Sequence, residues 1–245
     1  MILFLRWLHK WIGLIVGLQF VLWTFSGAAM ALLDHHKVAA EGVIRPPADV
    51  PRLEQPVSLA RVAQAAGAPI LRLELKPLQG RYVYEAATTD GVRLIDAADG
   101  RPVVIDADRA RSLAVSAYRG AEPVRSVAPV TESTFETRTF ARPVWRVEFA
   151  DKDHTALFVS AGTGQVLGAK NDAWRLWDFV WMIHIMDYTK RESFNHPLII
   201  TVATGIVWLA LSGLILLFRS FRRSDFSWVL DPIARLRAAA KTGAR

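Results

Sequence analysis

The 245-residue chain has no cysteine. Structural disulfides, thiolate zinc sites, iron–sulfur clusters and covalent CxxCH haem attachment are therefore excluded. Hydrolytic and calcium-binding signatures are also missing: there is no GxSxG, no HExxH and no EF-hand loop. The run Gly164-Gln165-Val166-Leu167-Gly168-Ala169-Lys170 shares only composition with a phosphate loop, since its spacing is wrong and it follows a hairpin. Asp151-Lys152-Asp153-His154 has metal-ligand residue types, but it lies where two alternating strands must reverse, which marks a solvated turn.

Charge is absent from two long stretches. Trp11 to Leu33 carries only Gln19, Thr24 and Ser26 as polar side chains, and Pro197 to Phe218 only Thr201, Thr204 and Ser212. At 1.5 Å per residue, either stretch crosses a hydrocarbon core of roughly 30 Å as a helix. A cleaved signal peptide would offer Gly27-Ala28-Ala29-Met30-Ala31 as its cleavage site, but a signal core is typically about 7–15 residues and this run is longer. Trp7, Trp11 and Trp23 suit an anchored helix with aromatics at the interface.

The net charge of +7 sits at the two ends. Arg6 and Lys10 precede the first apolar run. Arg219, Arg222, Arg223, Arg235, Arg237, Lys241 and Arg245 follow the second, against only Asp225 and Asp231. The middle is neutral. Basic short ends mark the cytoplasmic face, so both termini are expected inside and the central segment outside. The excess of cations reads as topology and gives no ground for nucleic-acid binding.

The central segment has soluble patterning. Pro46, Pro47, Pro51 and Pro56 predict an extended linker leaving the first helix at Asp34. Ser58 to Gly67 has an N-cap serine, a helical apolar stripe and a terminal glycine. Alternating runs at Leu71–Leu75, Arg81–Ala87 and Val92–Asp96 predict antiparallel hairpins. The plan recurs with a helix over Asp108–Tyr118 and strands over Pro123–Val130, Thr134–Phe140, Val144–Phe149 and His154–Ser160. Both units close on a strand, a four-residue turn with a glycine (Asp99-Gly100, Gly162-Thr163-Gly164) and a return strand. A tandem module of about 60 residues has a thin core by itself, so the two units are expected to share one.

These units resemble PepSY modules. Arg6-Trp7-Leu8-His9-Lys10-Trp11-Ile12-Gly13 through Thr24-Phe25-Ser26-Gly27, with a matching Leu211-Ser212-Gly213-Leu214, resembles the membrane segments of PepSY-associated transmembrane proteins. The expected fold class is α+β, with two transmembrane helices flanking a tandem helix-plus-antiparallel-sheet, PepSY-like extracytoplasmic domain. The expected divisions are 1–34 for the N-terminal end and first membrane helix, 35–56 for the linker, 57–107 and 108–171 for the modules, 172–196 for an interfacial aromatic helix and loop, 197–218 for the second membrane helix and 219–245 for a basic cytoplasmic tail. Within the family, some members are haem-binding reductases of ferric siderophores, others accompany flavin-dependent reductases, and the isolated module binds or inhibits peptidases. The larger reductase-like members have about four crossings and this chain has two.

Five of the six histidines lie near a membrane boundary: His9, His35, His36, His184 and His196. His9 and His35 are about 39 Å apart along a helix and do not share one iron within a subunit. Trp174, Trp177, Trp181, His184 and Tyr188 fall at helical spacing on one stripe, predicting a helix along the outer interface. The resemblance implies a role for His184, since family members often carry a histidine before a later membrane helix. An outer cluster of neutral imidazoles beside aromatics is a candidate b-type haem site. His36 with His184 is the favoured pair, His35 and His196 are alternates at that level, and His9 is completed only by another subunit. Equally, interfacial histidines hydrogen-bond headgroups or backbone. Gly13 and Gly17 form a small-xxx-small patch for a homo-oligomer, and Pro232–Lys241 offers a basic helix for anionic lipid. Two functions stay open: an inner-membrane accessory to extracytoplasmic electron transfer with a redox partner, and a non-redox module that recognises a periplasmic peptidase or envelope protein. Enzymatic activity stays open as well.

Overall fold

The computed structural model describes residues 2–46, 52–53, 55–193, 195–221, 225, 227–228 and 232. The basic tail expected beyond Pro232 lies outside them. The chain forms two bodies, Met1–Gly27 with Ile183–Arg245, and Ala28–Met182.

The first body is a helical hairpin. Helix α1 (Ile2–Leu32) takes in the whole first apolar run and also Arg6, His9 and Lys10 before it. The later helix α6 (Pro197–Ser220) starts on a proline, with the His196 ring accepting from Leu198 N as its N-cap. Both are long and apolar enough to cross a membrane. His9 meets Ser212, Gly13 faces Leu209 and Val16 faces Gly205, a register that advances on one helix as it retreats on the other. The helices are therefore antiparallel. Glycine permits the approach, since a methyl group placed at Gly205 would stand 3.2 Å from Val16 Cγ2. Gly13 is thus used inside the chain, while Gly17 faces open space.

In the second body a short helix α2 (His35–Val38) follows Asp34, whose carboxylate caps His36 N and Lys37 N. Next come α3 (Leu59–Ala66), β1 (Ile70–Leu78), β2 (Arg81–Thr88), β3 (Gly91–Asp96), β4 (Pro102–Val103) and α4 (Ala107–Ala117). The strands β5 (Val124–Val130), β6 (Val144–Phe149), β7 (Ala156–Ser160) and β8 (Val166–Lys170) and the helix α5 (Asp172–Ile185) complete it. The last turn of α5 belongs to the hairpin body. Each set of four strands is an antiparallel meander.

The sheets have apolar side chains on both faces because both faces are covered. Val83 and Leu94 of the first sheet and Val147, Phe149, Leu157 and Val159 of the second join α4 in one core. Tyr84, Ala86 and Ile95 point the other way, against Val62 and Ala66 of α3. Phe158, alternating with Leu157 and Val159, packs with Val144 and Phe140. The shared core expected from the thin modules is present. Gly100 and Gly164 both take φ of +71° at the two equivalent turns.

Two expectations are corrected. The strand expected over Thr134–Phe140 is a pair of turns, with Thr137 N bonding Thr134 O and Phe140 N bonding Thr137 O, and β5 pairs directly with β6. Thr134 and Thr137 bond one another and Phe140 turns inward over Phe158 at 5.5 Å between centroids, so the alternation in this run reflects local bonding. The linker expected over 35–56 is structured in its first part. Ile44 bridges Tyr118, Arg45 N bonds Ala117 O, and Arg119 N bonds Val43 O.

Candidate functional site

His184 and His9 occupy equivalent settings in the hairpin. His184 Nδ1 lies 3.0 Å from Ser26 Oγ, and His9 Nδ1 lies 2.7 Å from Ser212 Oγ. Both serines are buried. A serine hydroxyl has one proton, and here it goes back to the helix: Ser26 Oγ donates to Leu22 O at 2.7 Å and Ser212 Oγ to Leu209 O at 3.1 Å. The serine lone pair then accepts from Nδ1–H. In that arrangement both rings carry the Nδ1–H tautomer and each Nε2 keeps its lone pair; a serine proton turned to the ring would give the opposite tautomer. A glycine follows each serine, and a methyl group at Gly27 would stand 3.5 Å from His184 Cε1, one at Gly213 3.2 Å from His9 Cε1. Along α1, Ser26 lies 17 positions beyond His9, so the two stations are about 25 Å apart.

Between them, Gln19 and Trp23 lie on the same helix face. Gln19 Nε2 and Trp23 Nε1 are buried and have no acceptor among the described residues. In hydrocarbon such donors are costly.

The other histidines are placed differently. His36, on an exposed turn of the domain body, bonds Glu41 through Nδ1 at 2.6 Å, and this hydrogen bond raises its pKa. His35 is exposed beside it and lines a cavity of about 410 Å³ with Glu41, Lys170, Trp174 and Trp177. His196 caps α6. His36 belongs to the domain body and His184 to the hairpin body. His154 bonds Asp172 at 2.6 Å, which holds that carboxyl below its usual range.

The aromatic stripe of α5 is half-buried. Trp177 and Trp181 stack at 5.3 Å, and Lys170 Nζ lies 3.9 Å over Trp174. Leu176 and Phe179 form its open face. Asp178 is buried and bonds Arg138 at 2.6 Å. After α5, the loop to α6 is organised by Asp187, which accepts from Thr189 N, Thr189 Oγ1, Lys190 N and Glu192 N.

The sequence reading missed the serines as partners, although a Ser-Gly pair recurs once in each apolar run. Lys170 and Asp187 carried no signal, because their roles come from neighbours far away in sequence or from a loop conformation. A family model described as the PepSY-associated TM region matches residues 6–242. No curated protein matches the chain.

Proposed function

The chain belongs to the family defined by the PepSY-associated TM region, a membrane family, and on that premise we propose that it is an accessory to extracytoplasmic electron transfer whose hairpin binds b-type haem. The supporting observation is the pair of serine-anchored imidazoles. An imidazole held through Nδ1 presents Nε2 in the tautomer and orientation that axial ligation requires, and such outer hydrogen bonds raise ligand basicity. The residues fit the group: Ser26 fixes His184, Ser212 fixes His9, Gly27 and Gly213 keep the space beside each ring free of a side chain, and Gln19 and Trp23 have N–H groups in need of acceptors. Bound haem supplies a one-electron carrier. Each station provides one imidazole, and at the His9 station two-fold histidine ligation takes its second from another copy of the chain.

The proposal places the protein in a bacterial inner membrane, with the basic ends in the cytoplasm and the domain in the periplasm, as the charge asymmetry indicates. Ferric-siderophore or flavin-linked reduction is the corresponding process. Full-length protein from haem-replete cells should carry a Soret band that His184→Ala removes or halves while membrane insertion is kept, and His154→Ala should leave it intact. An unchanged Soret band in both His184→Ala and His9→Ala would sink the assignment of these ligands.

One observation favours a second reading. Strand β1, nine residues long, is an edge of its sheet, and Leu71 and Leu75 are exposed on it. An open edge accepts an extended peptide as an added strand. That suits recognition of a peptidase or envelope partner without redox chemistry.

A further inference from the structure

The cavity beside α2 contains a cation with no hydrogen-bonded or ion-paired acceptor among the described residues. Lys170 closes β8, and its Nζ rests 3.9 Å above the Trp174 ring and 5.9 Å from Phe140. An ammonium has three donors, and among the described residues no hydrogen-bond acceptor or carboxylate is within bonding distance of this one. The nearby acids are already matched. Asp178 is bonded to Arg138, and Glu136 accepts from Arg146 and Arg175. Burial, and next the Arg138 charge, depress the Lys170 pKa, so an arriving anion would meet a partly desolvated ammonium. One further group on the cavity wall lacks a partner: the His35 ring has no hydrogen bond among the described residues.

We infer that this cavity holds the phosphodiester of an anionic glycerophospholipid, with Lys170 and His35 on the phosphate. Two features select that class. Glu41 stands on the same wall, fixed by His36 at 2.6 Å; its charge disfavours a free phosphate dianion and its oxygens accept a headgroup hydroxyl. The cavity, about 410 Å³, is large enough for a glycerol phosphate group and walled by two indoles of the kind favoured at headgroup level. None of this depends on haem.

The test is native mass spectrometry of the full-length, detergent-solubilised chain titrated with dihexanoyl-phosphatidylglycerol, and in parallel with inorganic phosphate. One lipid should bind in preference to the rest. Lys170→Gln should weaken it about tenfold, the scale of one charge-assisted contact. Lys170→Arg should retain it, and His35→Ala, which removes the other proposed phosphate contact, should weaken it about threefold. The Lys170→Arg and His35→Ala variants keep the test informative if Lys170→Gln fails to fold. Equal lipid binding by wild type and both Lys170→Gln and His35→Ala overturns the inference. Inorganic phosphate binding as tightly as the lipid overturns the lipid assignment.

Discussion

At the residue scale, the direction of one proton determines what His184 offers. When Ser26 donates to Leu22 O it serves His184 as an acceptor, and Nε2 is then the unprotonated nitrogen. Ser26→Ala should lower haem affinity about tenfold, the lower end of what loss of an outer-sphere partner costs, and Ser26→Thr should preserve it. Haem titration of the purified variants separates the two, and equal affinity in all three would remove the serine from the site. Asp187 makes a pH prediction. Burial raises its pKa, but the N–H groups of Lys190, Glu192 and Thr189 overcome this and hold the carboxyl well below the usual range. Because the folded value lies below the unfolded one, the loop has its full stabilisation above about pH 4 and loses it as pH falls through the folded value. Amide protection at Lys190 and Glu192 should therefore decline on acidification below pH 4, and Asp187→Asn should show weak protection at every pH. Protection in the wild type that ignores acid would contradict this.

At the element scale, the hairpin rests on glycines at the crossing. Since the chain has no native thiol, Gly13→Cys combined with Leu209→Cys gives an unambiguous probe, and a short thiol-reactive linker should join the pair within one chain. Cross-linking only between chains would overturn the register. The sequence displayed most of these elements directly. The two uncharged runs marked both membrane helices, Ser58 and Gly67 bounded α3, and the paired glycine turns exposed the repeat. The misread elements share a physical cause. Alternation over Thr134–Phe140 imitates a strand because Thr134 and Thr137 bond each other locally and Phe140 covers Phe158, a contact that depends on β7 being in place. Prolines at 46, 47, 51 and 56 suggested a linker from Asp34, but the segment before them is held by backbone bonds to residues 117 and 119, a distance no local pattern reports. For the site, the histidines were legible as a set. Their division between hairpin and domain was not, since it follows from helix register.

At the scale of the whole molecule, two bodies correspond to two tasks, a domain with its own cores and a hairpin with the anchored imidazoles. The domain extends beyond the modules. Val43 and Ile44 pack on the shared core, and Ala169 and Lys170 complete β8. Residues 35–182 should accordingly fold as a soluble unit, and residues 57–168 should melt at lower temperature or aggregate. Equal melting of the two fragments would show that the flanking segments add nothing. The hairpin is tested most directly by one absorbance measurement on the full-length chain, purified in detergent from haem-replete cells, air-oxidised and then reduced with dithionite. Haem held by the serine-anchored imidazoles predicts a Soret band that shifts on reduction with a sharpened α band, in fixed ratio to protein. Protein of the same purity with no Soret absorbance in either state would contradict it and leave the partner-binding edge of β1 as the function to pursue.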